Sequence, residues 1–271
     1  MIGNSQMTNN GFTDERYHTN SYILVINLKN INQLFMQSYI LLLIFFLFGK
    51  DSYCQEKSST EKFGKITGKV YYEGPTIKPK PISLTRDPQC VLLHKGSPFL
   101  ENIVINSDHT IKWAVVYLKN ATGNRPACDI THTIDQRECR FQPHVTAMML
   151  GERLEVVNSD EILHNVHAMP LKNREFNVGQ PTVGRKHYHR FDKPEMAIPL
   201  KCDVHPWMSA YVHVFDHPFF CVTHDDGTFE IRWVPEGTYL IEVYHEKFGI
   251  QGMSVTVRAG ETTTLDFTLG K

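Results

Sequence analysis

Cys202-Asp203-Val204-His205-Pro206-Trp207-Met208 is the stretch on which the reading of this 271-residue chain turns. It sets a thiolate, an imidazole and a thioether on one short loop, the soft and borderline donors that copper prefers. Upstream, Val156-Val157-Asn158-Ser159-Asp160 leads into His164-Asn165-Val166-His167, which supplies a second imidazole. Zinc would call for more Cys or His in paired spacings. An iron–sulfur cluster would call for four Cys. His164, Cys202, His205 and Met208 are therefore the candidate metal ligands, and two His, one Cys and a weak axial Met make the ligand set of one type 1 copper ion.

The loop resembles that of amicyanin, in which two residues separate Cys from His and Pro-Phe-Met follows; here Trp207 stands in place of the Phe. The His-Asn-Val-His segment resembles the same family. Phe141-Gln142-Pro143-His144-Val145 and Gly151-Glu152-Arg153-Leu154-Glu155-Val156 are similar to the cupredoxin strand that precedes the first ligand. The resemblance covers roughly residues 135–215 and is strongest in the two ligand motifs. The N-terminal half is more similar to plastocyanin-like proteins of the methylamine-utilisation type. The resemblance implies a Greek-key β-sandwich, a copper cofactor and redox protein partners that dock beside an exposed His205 edge, next to Trp207. It also implies that Asn165 ties the two ligand segments together by hydrogen bonds.

Composition fits an exported globular protein. Hydrophobic residues make up 41% and charged residues 21%, which excludes a disordered or membrane-embedded chain. A net charge of −1 offers nothing to nucleic acid or to anionic lipid. Histidine stands out, with 14 residues. Tyr39 to Phe48 is an unbroken apolar run of the length of a signal-peptide core, too short to span a membrane comfortably. Ser52 and Cys54 suit the −3 and −1 positions, so cleavage is expected after Cys54, with a periplasmic or cell-envelope product and no integral membrane domain. Met36 is a candidate start that would leave residues 1–35 as a leader; an uncleaved anchor is the alternative. Tyr53 is too bulky for a lipid-attachment motif.

Once Cys54 is cleaved off and Cys202 assigned to the metal, Cys90, Cys128, Cys139 and Cys221 remain, enough for two disulfides in an oxidising compartment. Sequence does not determine connectivity. The resemblance to related chains, which carry a similar pair, favours Cys90–Cys139 and leaves Cys128 and Cys221 open between free thiols and a second bond.

The rest reads as β-structure. Lys65 to Tyr71 alternates and ends at the turn Glu73-Gly74-Pro75; Ile111 to Leu118 is an apolar strand; Leu154 and Val156 alternate with Glu155. Asp225-Asp226-Gly227 reads as a hairpin turn, after which Phe229, Ile231 and Trp233 alternate with polar residues. Thr223–Leu269 resembles a carboxypeptidase regulatory-like, transthyretin-like sandwich through Asp226-Gly227-Thr228-Phe229-Glu230-Ile231, Pro235-Glu236-Gly237-Thr238-Tyr239 and Gly260-Glu261-Thr262. The expected division is leader and signal 1–54, linker 55–63, cupredoxin-like domain 64–217 and regulatory-like module 218–271. Strand 66–85 is a candidate to complete that module, with the copper domain inserted.

Other conspicuous residues carry blander expectations. His167, expected to face the same side as His164, reads as a surface or supporting side chain in preference to an alternative ligand, His144 as locally hydrogen-bonded, and Met148-Met149 as core filling. His187-Tyr188-His189, between basic residues, reads as a solvated loop in preference to a recognition patch. Four protein ligands leave no open position for substrate, so an enzyme is not expected. A one-electron carrier is favoured over a copper-delivery protein or a structural sandwich with an auxiliary site.

Overall fold

A computed structural model of the chain describes residues 63–84, 87–94, 98–123 and 129–270. The expected leader, signal peptide, cleavage site and linker, and Cys128, lie outside the described residues. Among those described, no helix is long and apolar enough to cross a membrane.

The strands, in chain order, begin with β1 (Phe63–Tyr72), β2 (Val104–Ile105), β3 (Ile111–Lys112), β4 (Val115–Lys119), β5 (Thr131–Arg137) and β6 (Arg140–Gln142). They continue with β7 (Val145–Met149), β8 (Arg153–Asn158), β9 (His164–Ala168), β10 (Phe176–Gln180), β11 (Lys186–His189), β12 (Glu195–Lys201) and β13 (Ser209–Phe215). The last six are β14 (Phe220–Val222), β15 (Thr228–Pro235), β16 (Gly237–His245), β17 (Gly249–Val257), β18 (Thr262–Thr264) and β19 (Phe267–Leu269). One short helix, α1 (Pro88–Leu93), is capped by Asp87, whose side chain accepts the Gln89 N–H. Asp at the cap and Pro at the first helical position are both pre-organised for that end of a helix.

The fold is all-β and consists of two sandwiches. In the first, a five-stranded sheet (β10-β9-β12-β13-β7) faces a four-stranded one (β11-β8-β5-β6). Alternation along β8 turns Leu154 and Val156 inward, where they meet Ile134, Phe141, Val166, Ile198, Leu200 and Val212 in one core. The second sandwich pairs β15-β1-β18, with β19 also on β1, against β14-β4-β16-β17. Its core gathers Ile66, Val70, Val116, Leu118, Phe229, Ile231, Ile241 and Phe267. A third buried cluster, Val115, Tyr117, Val145 and Phe215, fills the space between the outer faces of β4 and of β7 and β13. The four sheets thus form a continuous stack, and β13 is covered on both faces.

These pairings draw the division differently from a boundary at 217/218. β1 runs antiparallel to β15 and parallel to β18 and β19, and β4 lies between β14 and β16. The second sandwich is therefore built from both sides of the first. Of the candidate completing strand 66–85, the strand itself ends at Tyr72 and Ile77 still packs on the second core, whereas Ile82 and Leu84 pack into the first.

Three local expectations are corrected. The apolar run 111–118 breaks into β3 and β4 at Trp113, whose φ is +70°. Trp233 does not continue the inward alternation of Phe229 and Ile231: a bulge opposite Lys65, with Trp233 at φ +57°, throws its ring outward and turns Val234 in. The Asp225-Asp226-Gly227 turn forms, with Gly227 at φ +72°, but its flanking strands β14 and β15 belong to different sheets.

Candidate metal centre

The site lies where the β8–β9 turn meets the β12–β13 loop. β12 and β13 pair up to Lys201 and Ser209, so the seven residues between them form a closed loop. The Cys202 N–H donates to the Met208 carbonyl (3.2 Å) and the Met208 N–H to the His205 carbonyl (2.9 Å), which curls the loop and turns its donors inward. On the other side, Asn158 accepts the Asp160 N–H (2.9 Å) and donates to the Ile162 and Gln180 carbonyls, both at 2.8 Å. That Asx turn delivers His164 as the first residue of β9.

His164, Cys202, His205 and Met208 are all fully or almost fully buried. One nitrogen from each imidazole and the Cys202 sulfur lie within 4.8 Å of one another. The two Nδ1 atoms are 3.0 Å apart, and the sulfur is 3.8 Å from that of His205. Met208 enters the same buried cluster as Cys202.

Each imidazole is gripped from behind. His164 Nε2 lies 2.8 Å from Asp160 Oδ2, and His205 Nε2 lies 3.0 Å from Asp87 Oδ2. A carboxylate can only accept, so each Nε2 is the protonated nitrogen and each Nδ1 presents a lone pair. Two lone pairs facing each other across 3.0 Å beside a thiol require a proton or a cation between them. The titration tendencies have the same origin. Burial alone pushes the Cys202 thiol up, but its contacts with His164 and His205 outweigh this and bring it down to about 6. Burial disfavours the charged form of His164, yet Asp160 and Cys202 raise its pKa; Cys202 and Asp87 do the same for His205.

Asn165 joins the two segments: its Oδ1 accepts the Asp203 N–H (2.7 Å) and lies 3.2 Å from the Cys202 sulfur. Its Nδ2 donates to Asn177 and Asp203. Donation from Asn177 and the ammonium of Lys201 hold the exposed Asp203 carboxyl far below the usual range. His167, three residues along a strand from His164, projects to the opposite side and is engaged by Asp203 (3.2 Å) and Glu175 (2.6 Å).

The structure gathers the candidate residues and revises their surroundings. The expected exposed edge of His205 does not exist: the residue is 1% exposed, covered by Asp87 and the Cys90–Cys139 disulfide. The sulfurs of that disulfide and a ring nitrogen of His205 lie within 4.8 Å of one another. Trp207 does pack on His205, at 5.2 Å between ring centroids, while its Nε1 donates to the Cys139 carbonyl (3.1 Å). His187 and His189 lie on β11, where their half-buried rings pack against Phe176, and not in a solvated loop. The hydrogen bonds of His144 are long-range where a local one is expected: its ring nitrogens lie 3.0 Å from the Ser209 carbonyl and 2.6 Å from Glu246 of the second sandwich. Asp87 and Asp160 were not singled out by sequence reasoning. The available signals were the Asp-Pro helix start and the Asn-Ser-Asp turn, each of which marks a local cap without naming its distant partner.

Residues 208–265 match the family model described as polysaccharide lyase family 4, domain II. No curated protein matches the chain. Among solved structures, the chain is similar to a Cu-containing nitrite reductase (NirK) from Thermus scotoductus SA-01, with 21% identity over 35% of this chain and 24% of that one, at a TM-score of 0.30. It is similar to a purple cupredoxin from Nitrosopumilus maritimus, with 22% identity over 28% of this chain and 82% of that one, at a TM-score of 0.25. A mutant of amicyanin in its Cu(I) form shares 15% identity over 37% of this chain and 98% of its own length, at a TM-score of 0.29.

Proposed function

We propose that the protein is an exported one-electron carrier holding a single type 1 copper ion on His164, Cys202, His205 and Met208. The observation that carries this reading is the convergence of two Nδ1 lone pairs and one acidic thiol in a buried cluster, with both Nε2 atoms already committed to carboxylates. Copper bound there would supply a one-electron couple between Cu(I) and Cu(II). The His₂Cys set with a weak Met matches neither oxidation state's preferred geometry fully, so little has to move when the charge changes. Asp160 and Asp87 fix the tautomers and orient the rings, and Asn165 holds the thiolate loop against β9. Pro206, lacking an N–H, stiffens the loop between the ligands. Burial of the donors leaves no place for a substrate, which supports a carrier with redox protein partners over an enzyme. It also disfavours copper delivery, which needs donors that a recipient can reach. The disulfide fits an oxidising compartment.

The test is copper reconstitution followed by visible spectroscopy. The wild-type protein should show an intense thiolate-to-copper charge-transfer band. Cys202→Ser should lose it with an unchanged β-type circular dichroism spectrum, whereas His167→Gly should keep it. A band that survives in Cys202→Ser, or disappears in His167→Gly, overturns the ligand assignment.

A further inference from the structure

The two carboxylates behind the imidazoles are linked through one covalent bond: Asp87 lies three residues from Cys90, and Asp160 accepts hydrogen bonds from the backbone at Cys139, to which Cys90 is joined. Asp87 caps α1, and the sole buried residue of that helix is Cys90. Val91, Leu92 and Leu93 point outward, with Leu92 85% exposed. A six-residue helix has no stability of its own in water, and Cys90 is the one side chain by which α1 packs into the first core. Its start is held by the Asp87 N–H on the carbonyl of the buried Leu84 (3.0 Å), and along the helix itself the restraint is the Cys90–Cys139 bond. Cys139 is anchored firmly. Glu138 and Cys139 both adopt left-handed φ values, +52° and +51°, which aim their N–H groups at Asp160 Oδ1 and Oδ2, each at 2.8 Å. Asp160 in turn holds His164, and the Cys139 carbonyl receives Trp207.

We propose that the Cys90–Cys139 disulfide is a latch that transfers this fixed position to α1, making Asp87 a positioning residue for His205 and α1 the lid that closes the imidazole edge of the centre. The part of the proposal that concerns copper rests on the ligand assignment above; the part that concerns access to Cys202 does not. Asp87 is 27% exposed at its side chain, so water competes for its hydrogen bond once the helix is free to leave. With the latch closed, the carboxylate raises the basicity of the imidazole and favours Cu(II). With the latch cut, that bias is lost and the site opens beside Trp207.

Two measurements test this. In the metal-free protein, alkylation of Cys202 by iodoacetamide, followed by peptide mass spectrometry, should be slow. It should accelerate by about tenfold or more in Cys90→Ser/Cys139→Ser, as expected for a locally opened segment, while Cys221 keeps its rate. In the copper-loaded protein, Asp87→Asn should raise the reduction potential; the double-Ser variant should raise it too, and Asp87→Asn added to it should change nothing more. Unchanged Cys202 reactivity, or potential shifts that simply add, overturns the latch. If the double-Ser variant fails to fold, the Cys90–Cys139 bond of the wild-type protein is reduced under native conditions before alkylation, and an unchanged Cys202 rate after reduction refutes the proposal. A wild-type protein without the charge-transfer band refutes the copper assignment alone and leaves the alkylation result to decide the lid.

Discussion

Replacing Asp160 by Ala should be the most damaging single polar substitution around the centre. The carboxylate is almost completely buried and accepts three hydrogen bonds, from the Glu138 and Cys139 N–H groups and from His164 Nε2, all at 2.8 Å. Cys139 is fully buried and Glu138 only partly so. The first N–H therefore loses its partner outright, about 2 kcal/mol, and the second loses about 1 kcal/mol because water reaches it. Leaving His164 without its acceptor adds a further contribution of about 1 kcal/mol. The sum, about 4 kcal/mol, sits inside the range for breaking a buried charge pair. Asp87→Ala removes a partly exposed carboxylate and should cost only about 1 kcal/mol, typical of a lost helix cap.

Urea unfolding of the metal-free protein, followed by circular dichroism, measures the difference. With a slope of about 2 kcal/mol per molar, Asp160→Ala should lower the midpoint by about 2 M and Asp87→Ala by about 0.5 M. Equal shifts would show that Asp160 is not the hub described here. The pH dependence adds a second check. Burial pushes the Asp160 carboxyl up, but His164 and the two N–H donors outweigh this and leave it below its ordinary value. A depressed carboxyl contributes stability that is complete above about pH 4 and is lost as the pH falls through its folded value. The raised His164 contributes stability that is complete below about pH 6.5 and is lost as the pH rises through its folded value. Metal-free protein should therefore be most stable between those limits. Asp160→Ala should flatten the acid side, where Asp160 titrates, more than the alkaline side, where His205 still does.

Two further outcomes are expected. Met208→Leu should raise the reduction potential, because removing a donor disfavours Cu(II), and Met208→Gln should lower it, with copper retained in both; cyclic voltammetry showing no change in either would place Met208 outside the copper shell. Gly68→Ala should destabilise the protein by about 3 kcal/mol, because a Cβ there would run into the Leu265 carbonyl oxygen between β18 and β19, yet leave the visible spectrum unaltered; a shifted spectrum would show that β1 itself bears on the geometry of the centre.

What could be read from sequence was what is local. Cys202 to Met208 lies on one loop, so the nearness of its donors can be read without any knowledge of the fold. The alternation of Leu154 and Val156 around Glu155 gives β8 its inward face by the same short-range logic. Trp233 was misread because a bulge adds one residue to a strand and leaves no mark on composition; only the pairing Gly64↔Val234 beside Ile66↔Ile231 reveals it. Asp87 was missed because its partner His205 is 118 residues away and nothing in an Asp-Pro start distinguishes a cap that also serves a metal ligand. The exposed His205 edge was carried over from the family resemblance, and a segment outside the matched region covers it.

The stacked sheets give the second sandwich a mechanical part in the centre. β13 follows Met208 directly, and its residues are buried on both sides: Ala210, Val212 and Val214 face the first core, while His213 and Phe215 face the layer shared with β4 and β16. His213, enclosed there and packed on Tyr244, has its pKa pushed down to about 3 by burial and stays neutral. A strand gripped on two faces shifts less than one with a wetted face, since displacing it would open voids in two cores at once. The thiolate loop is therefore fixed at its downstream end by a strand the second sandwich helps to hold, and across β9 by Asn165. A site whose ligands must hardly move between oxidation states gains from both constraints. On the proposed carrier reading, the second sandwich would contribute to the rate of electron transfer by immobilising the sheet that flanks the loop of His205 and Met208.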